Sequence, residues 1–159
     1  GAPHPDISTV EALIRTLIAA KSIAYSASVS GDYLADELFP RLGIGEQIRA
    51  KCRRIEGERV GAVVARGEAE IGFQQISELL PIPGIDLVGP LPGSSQRATI
   101  FAAGIAAHAT NPDGAHEYIR FLSGPGAEEA IRKAGLEPLG AAEHLSPYLL
   151  PGAASKGKQ

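Results

Sequence analysis

Apolar residues recur at helical spacing near the start of the chain. The positions i, i+3, i+4, i+7 and i+8 are occupied by Val10, Leu13, Ile14, Leu17 and Ile18. This spacing predicts an amphipathic helix over residues 7–20, with Ser8 or Thr9 as the N-cap.

Short apolar runs alternate with further helical patterns along the rest of the chain. The runs predict strands at residues 22–26, 53–56, 69–74 and 99–107. The helical patterns predict helices at residues 32–42, 57–65, 76–80, 111–122 and 127–134. Pro40 should bend or end the second helix and Gly43 should close it, while the proline-rich residues 81–96 should be irregular. The alternation favours an α/β fold with a mostly parallel sheet covered by helices on both faces.

The same patterns divide the chain into three parts. Residues 1–107 are expected to form an α/β lobe, and residues 108–139 a helical segment whose apolar face includes Tyr118, Ile119 and Leu122. Residues 140–159 lose periodicity and end in polar residues, so a loosely attached tail is predicted there.

Composition narrows the possible functions. A chain that is 44% hydrophobic and 21% charged is typical of a soluble globular protein. A net charge of −3, together with four Phe, four Tyr and no Trp, argues against a nucleic-acid partner. The single cysteine excludes an internal disulfide, and the four histidines lack metal-ligand spacing, so neither a metal nor a cofactor is predicted. The chain contains no methionine, which we interpret as processing of a longer precursor, and a removed signal peptide would fit.

Serine residues follow the strand predicted at residues 22–26. Ser26, Ser28 and Ser30 precede or begin a helix, and Gly31 would let the backbone approach a ligand closely. Free N–H groups at a helix start and serine hydroxyls together suit a small anion. The structural alternative is that one serine caps the helix and the others only fill the loop.

A second set of donors follows the next strands. The helix predicted from Gly57 would place Arg59 in its first turn, where the guanidinium could reach a carboxylate ligand, and the strand predicted at residues 69–74 ends in the amides Gln74 and Gln75. Because the carboxyl ends of parallel strands share one edge of a sheet, two helix starts would point at one place. An ordinary strand–helix–strand crossover with polar strand ends remains the alternative.

Three segments carry a resemblance to a known family. The order of SIAYSASVSGDY, VGAVVARGEAEIGFQQ and AHEYIRFLSGPGAEEAIRKAGLEPL resembles the second half of the periplasmic molybdate-binding proteins that feed ABC importers, and the wider group of extracellular solute-binding proteins. The likeness covers about residues 2–139.

The resemblance implies a type 2 periplasmic-binding fold, in which two α/β lobes hold an oxyanion with N–H and hydroxyl donors and without a cation. The contacts of the second lobe would fall at Ser30, near Gly57 and at Gln75. The implied location is the periplasm, and the implied partners are a small anion and the membrane subunits of an ABC importer. The first lobe is absent from this chain, so a partner fragment or self-association is expected to cover the helical segment that would return to that lobe.

Gln75 stands where the resemblance leads us to expect a tyrosine. Its amide brings an acceptor as well as donors, which favours a partly protonated or carboxylic ligand over molybdate. The same scaffold is thought to include an aconitate isomerase, so an enzyme acting on a small polycarboxylate is the alternative function. Glu58 and Asp32 would then be the candidate bases.

Overall fold

The first helix confirms the expectation from apolar spacing. In the computed structural model, which describes residues 1–139, helix α1 spans Val10–Ala19. Its N-cap is Thr9, whose hydroxyl accepts a hydrogen bond from the Ala12 N–H at 3.1 Å. Leu13 and Leu17 are buried along one face, as the pattern requires. The tail predicted at residues 140–159 lies outside the described residues.

Three short parallel strands form the sheet. They are β1 (Ile23–Ser26), β2 (Cys52–Ile55) and β3 (Ile71–Phe73), in the spatial order β2-β1-β3. Ser26 lies beside Ile55 of β2, and Tyr25 lies beside Phe73 of β3. The predicted α/β class with a parallel sheet is therefore confirmed.

Both faces of the sheet are covered. Ile23 packs into a cluster with Leu13, Leu17 and Leu38 on one face. The next residue, Ala24, points to the other face and belongs to a second cluster that includes Val60 and Val63. Each face thus has its own buried core.

The helix that follows β1 begins earlier than predicted. Helix α2 (Val29–Asp32) continues into a π-helical segment, Tyr33–Leu38, and then into the final turn α3 (Phe39–Arg41). The predicted start at Asp32 is wrong by three residues, because Ser28 already has the extended backbone of an N-cap residue. Pro40 lies within α3 instead of ending the helix, since the wider π turn before it accommodates a ring that has no N–H. Gly43, at φ +73°, ends the helix as predicted.

The remaining elements of this unit confirm some boundaries and correct others. Helix α4 spans Gly45–Ile48, α5 spans Val60–Ala65 and α6 spans Ile76–Leu79. The predicted start of α5 at Gly57 is wrong, because Gly57 has a φ of +76°, which a right-handed helix does not contain. The proline-rich residues 81–96 are irregular apart from one 3₁₀ turn, Gly93–Ser95.

The chain divides into two compact units, of which the first is Gly1–Thr99 and the second begins at Ile100. No strand forms at residues 99–107, so that prediction is wrong. An apolar run becomes a strand only where another strand supplies hydrogen bonds, and the sheet described in residues 1–139 ends at β3.

The second unit contains α7 (Pro112–Leu122), a 3₁₀ turn (Pro125–Ala127) and α8 (Glu128–Lys133). Asn111 caps α7 through a hydrogen bond that its Oδ1 accepts from the Gly114 N–H at 3.0 Å. Tyr118, predicted to face inward, is instead 63% exposed. Among the helices of residues 1–139, none has the length and apolar character needed to cross a membrane.

Candidate functional site

The predicted donors meet at one edge of the sheet. Ser26 is the last residue of β1, Gly57 comes two residues after β2 ends, and Gln75 comes two residues after β3 ends. Because the three strands are parallel and β1 is central, all three positions lie at the carboxyl edge, with the serines in the middle.

The three serine hydroxyls form a hydrogen-bonded chain. The Ser26 and Ser28 Oγ atoms are 2.7 Å apart, and the Ser28 and Ser30 Oγ atoms are 3.1 Å apart. Ser26 is buried, Ser28 is exposed and Ser30 is half-buried, so the hydroxyl chain reaches solvent most fully at its middle member, Ser28. An anion that accepts a hydrogen bond from one of these hydroxyls would orient the others, and each hydrogen bond would then strengthen the next.

The hydroxyl of Ser28 does not cap the helix that it precedes. Ser28 occupies the N-cap position of α2, but no side-chain capping hydrogen bond forms there. Its Oγ is bonded instead to the other two serines. The alternative in which a serine hydroxyl caps this helix is therefore not what the structure shows.

Gly31 has a packing role that the sequence did not indicate. A Cβ atom at this position would lie 1.7 Å from the Ser26 carbonyl oxygen, well inside van der Waals contact. The lack of a side chain therefore lets the first turn of the helix lie against the end of β1. The predicted close approach of a ligand to Gly31 stays a prediction.

The second donor set is built differently from the prediction. Arg59 is the N-cap residue of α5 and does not lie in its first turn. The first N–H of α5, that of Val60, already donates to Gln74 Oε1 at 2.8 Å. Gly57 lies in the turn between β2 and α5, and the first N–H of α5 is no longer available to a ligand.

Arg59 differs from the other arginines around it. Arg53 and Arg54 each lie within 3.3 Å of a carboxylate, and Arg66 donates to Glu58 at 2.9 Å. Arg59 is exposed and forms no ion pair with any of residues 1–139. Its positive charge at this edge is thus balanced by none of the described carboxylates.

Both candidate bases are held in ion pairs. Asp32 accepts from Arg54 at 3.3 Å, and Glu58 accepts from two nitrogens of Arg66 at 2.9 and 3.1 Å. The hydrogen bonds of Arg66 to Glu68 and Glu58 raise the pKa of its guanidinium, which stays charged. Both oxygens of Glu58 are therefore engaged, whereas Asp32 uses only Oδ1, and its Oδ2 forms no hydrogen bond with any of residues 1–139.

Gln75 has a partner that no pattern in the sequence indicated. Its Nε2 donates to the Thr99 hydroxyl oxygen at 2.8 Å, across 24 residues of mostly irregular chain. The role of Gln74 as the cap of α5 was missed as well. Both contacts are tertiary, so local spacing carries no signal for them.

One apolar side chain belongs to the same edge. Val29, between Ser28 and Ser30 in the chain, is 71% exposed. An exposed apolar group beside hydroxyl donors offers contact to the carbon atoms of an organic anion. Among the described residues, no group of three or more His, Cys, Asp and Glu side chains could hold a metal ion.

A parallel sheet covered on both faces, with polar donors at its carboxyl edge, defines a lobe of the periplasmic-binding-protein type. The chain belongs to the family of bacterial extracellular solute-binding proteins, whose family model matches residues 1–137.

A curated relative refines the comparison. Aconitate isomerase from Pseudomonas sp is 46% identical over 139 residues, which cover 87% of this chain and 53% of the relative. The chain thus spans about half the length of the curated relative it matches. No solved structure matches the chain.

Proposed function

We propose that the carboxyl edge of the sheet binds a small organic anion that carries carboxylate groups, and that Ser26, Ser28, Ser30, Gly57, Arg59 and Gln75 supply the binding groups. The observation that carries this proposal is the hydroxyl chain, in which bonds of 2.7 and 3.1 Å join the buried Ser26 to the exposed Ser28 and Ser28 to the half-buried Ser30. Gly31 contributes by letting the helix start lie against that strand end.

Three features favour a carboxylate over an inorganic oxyanion such as molybdate. Gln75 brings an acceptor oxygen, which a ligand that retains a carboxyl proton can satisfy and fully deprotonated molybdate cannot. Arg59 is a planar donor that matches a carboxylate with two hydrogen bonds. Val29 can contact carbon, which molybdate lacks. The curated relative, named aconitate isomerase, makes a tricarboxylate the first ligand to test.

Hydrogen-bond energies indicate how strongly residues 1–139 alone can bind the anion. A hydrogen bond to a charged group contributes about 1.5–3 kcal/mol when water is excluded, and less when the site is open. The carboxyl edge of the sheet, where the three serines lie, is partly exposed, so residues 1–139 alone should bind the anion weakly. We propose that full affinity requires a second lobe that closes over the anion, in the periplasm, and that an ABC importer accepts the loaded protein.

An enzyme is the second candidate, and the curated relative favours it. Interconversion of cis- and trans-aconitate removes a proton from a carbon beside a carboxylate and returns it to the same molecule, so it consumes no cofactor. It requires a base within about 3 Å of that proton. Glu58 has both carboxylate oxygens bonded to Arg66, whereas Asp32 keeps Oδ2 without a hydrogen bond among residues 1–139, so Asp32 is the candidate base on this chain.

Calorimetry on the protein in its natural full length tests the binding proposal. The titrants are trans-aconitate, cis-aconitate, molybdate, tungstate and sulfate, against wild type and a Ser30→Ala/Gln75→Ala double variant. We expect a tricarboxylate to bind wild type and the double variant to bind it roughly 10- to 100-fold more weakly, which corresponds to about 1.4–2.8 kcal/mol. Ser123→Ala, which removes a hydroxyl at the C-cap of α7, should leave affinity unchanged.

Two outcomes would overturn the proposal. If no anion gives a calorimetric binding signal, the proposed binding site does not exist. If wild type and the double variant bind with equal affinity, the site lies elsewhere. A spectrophotometric assay on the same samples, following the interconversion of cis- and trans-aconitate, separates the enzyme from the receptor.

A further inference from the structure

Arg54 holds one oxygen of the Asp32 carboxylate and leaves the other open. Its Nε and Nη2 atoms both donate to Asp32 Oδ1, each at 3.3 Å. The second oxygen, Oδ2, forms no hydrogen bond with any of residues 1–139. One oxygen of the carboxylate is therefore fixed to the protein, and the other is available to a ligand or a proton.

The guanidinium of Arg54 is itself held from a second side. Its Nη1 donates to Glu56 Oε1 at 2.6 Å, and Glu56 directly follows β2 at the carboxyl edge of the sheet. Arg54 belongs to β2, whereas Asp32 is the last residue of α2, so these side chains tie the two elements together. A guanidinium offers its N–H groups in a fixed planar fork. The contacts on that fork therefore set the orientation of the Asp32 carboxylate.

Asp32 lies beside the exposed member of the serine hydroxyl chain. The Asp32 N–H donates to the Ser28 carbonyl oxygen at 2.9 Å, so residue 32 lies one helical turn beyond residue 28. Residues four apart are neighbours on the surface of a helix, with Cβ atoms about 5–6 Å apart. An organic anion that accepts a hydrogen bond from the Ser28 hydroxyl would therefore have carbon atoms within reach of the Asp32 carboxylate.

The charge of Asp32 requires an opposite charge beside an anionic ligand, because two negative groups at short distance repel each other. Arg54 supplies that charge. We propose that Arg54 is a positioning residue for Asp32, which it holds through Oδ1 so that Oδ2 acts as the base on a carbon beside a ligand carboxylate. This inference rests on the second candidate function, the enzyme, because it concerns the same edge of the sheet.

The proton transfer needs no group beyond the ligand and Asp32. In cis-aconitate, Asp32 Oδ2 takes a proton from the methylene carbon, and the electron pair of that C–H bond forms a new double bond to the central carbon. The electron pair of the old double bond takes the proton back from Asp32 at the far carbon. The double bond has then moved by one carbon, where the trans arrangement can form, and the Asp32 carboxylate is restored.

Steady-state kinetics on the natural full-length protein test the inference, with absorbance following the interconversion of cis- and trans-aconitate. Asp32→Asn removes the base, so we expect kcat to fall by about 100- to 10,000-fold. Arg54→Lys keeps the positive charge but loses the fork, so we expect kcat to fall by about 10- to 100-fold and KM to change by less than about threefold. Arg53→Lys, on the same strand and ion-paired with Glu68, should leave both constants unchanged.

A double variant separates positioning from an independent role of Arg54. A residue that acts through Asp32 has no effect once that carboxylate is gone, so Arg54→Lys should not lower the residual rate of Asp32→Asn further. The side chains of Arg54 and Asp32 are 43% and 50% exposed, and exposed ion pairs contribute little to stability. Both single variants should therefore fold, which thermal melting checks.

Three results would overturn the inference. Asp32→Asn could melt like wild type and retain kcat, Arg54→Lys could retain the wild-type kcat, or Arg54→Lys could slow wild type and Asp32→Asn by the same factor. If wild type binds trans-aconitate in calorimetry but does not interconvert the isomers, this inference fails and the binding proposal stands. If wild type binds no anion and interconverts no isomer, both fail.

Discussion

Gly31 is the residue on which the geometry of the candidate site depends most strictly. The Ser26 carbonyl oxygen occupies the space in which any Cβ at residue 31 would lie. The atoms involved are backbone atoms of a central strand and of a helix start, so neither can move aside cheaply.

Gly31→Ala should therefore destabilise the protein severely. Overpacking a core costs about 1–3 kcal/mol, and a 1.7 Å approach to backbone should lie at or above the upper end. Urea unfolding followed by circular dichroism measures the loss. Gly104→Ala is the matched control, because a Cβ there would have no heavy atom within 4 Å, and a similar loss in both variants would contradict the account.

For single residues, the sequence indicated which chemical groups are present, but it did not indicate which residues contact one another. Serine hydroxyls after a buried strand could be predicted as candidate anion donors from their type and position alone, and this stays a prediction. The contact between Gly31 and Ser26 and the bond between Gln75 and Thr99 depend on tertiary approach. No local pattern specifies such an approach.

Among the elements, α5 depends on a cap from a neighbouring strand end. Its N-cap residue, Arg59, supplies no side-chain acceptor, and Gln74 Oε1 accepts from the buried Val60 instead. The cap therefore ties the start of α5 to the end of β3.

Gln74→Ala should lower the free energy of unfolding by about 1–2 kcal/mol, because it leaves the Val60 N–H without this acceptor. Chemical denaturation gives the value. Gln47→Ala, at an exposed position in α4, should change stability by less than about 0.5 kcal/mol. Equal losses would show that the Gln74 side chain does not act as a cap.

The carboxylate of Glu68, which lies shortly before β3, links the end of α5 to β2. Glu68, after α5, accepts hydrogen bonds from Arg66 and from Arg53 of β2, and these bonds lower the pKa of the Glu68 carboxyl from its ordinary value of 4.5. A lowered pKa in the folded state means that the contribution to stability is complete above pH 4.5 and is lost as the pH falls through the folded-state value.

Glu68→Gln should accordingly reduce the difference in unfolding free energy between pH 7 and pH 3. Urea denaturation at the two pH values measures this difference. Glu117→Gln, at an exposed position of α7, makes the same change in net charge and should leave the difference as in wild type. An unchanged difference in Glu68→Gln would mean that the ion pairs do not stabilise the fold.

Element boundaries were predictable where a cap is local and unpredictable where it is not. Helix α1 starts after the Thr9 cap that was one of two predicted. Helices α2 and α5 start three residues from their predicted positions, because an extended Ser28 and a left-handed Gly57 decide those starts. The apolar run at residues 99–107 lacks a strand to pair with in the described chain.

At the scale of the whole molecule, part of the apolar face of α7 is exposed within the described residues 1–139. Tyr118, Phe121 and Leu122 are among the exposed large apolar side chains of residues 1–139. Side chains of this kind on one helix indicate a surface that another chain covers. A partner fragment or a second copy remains our prediction for the occupant.

Light scattering combined with native mass spectrometry tests this prediction on the 159-residue chain. We expect either a self-associated species or a complex with a second chain. Tyr118→Lys, which puts a charge on the face, should shift the distribution towards monomer, whereas Glu117→Lys on the same helix should shift it less. A clean monomer without any second chain would contradict the prediction.

The central claim is that one anion lies at the carboxyl edge of the sheet. A crystal structure of the natural full-length protein with trans-aconitate tests it most directly. The account predicts carboxylate oxygens at hydrogen-bonding distance, about 2.7–3.2 Å, from Ser30 and Gln75. A ligand bound away from both residues, with the serine chain facing only solvent, would contradict it.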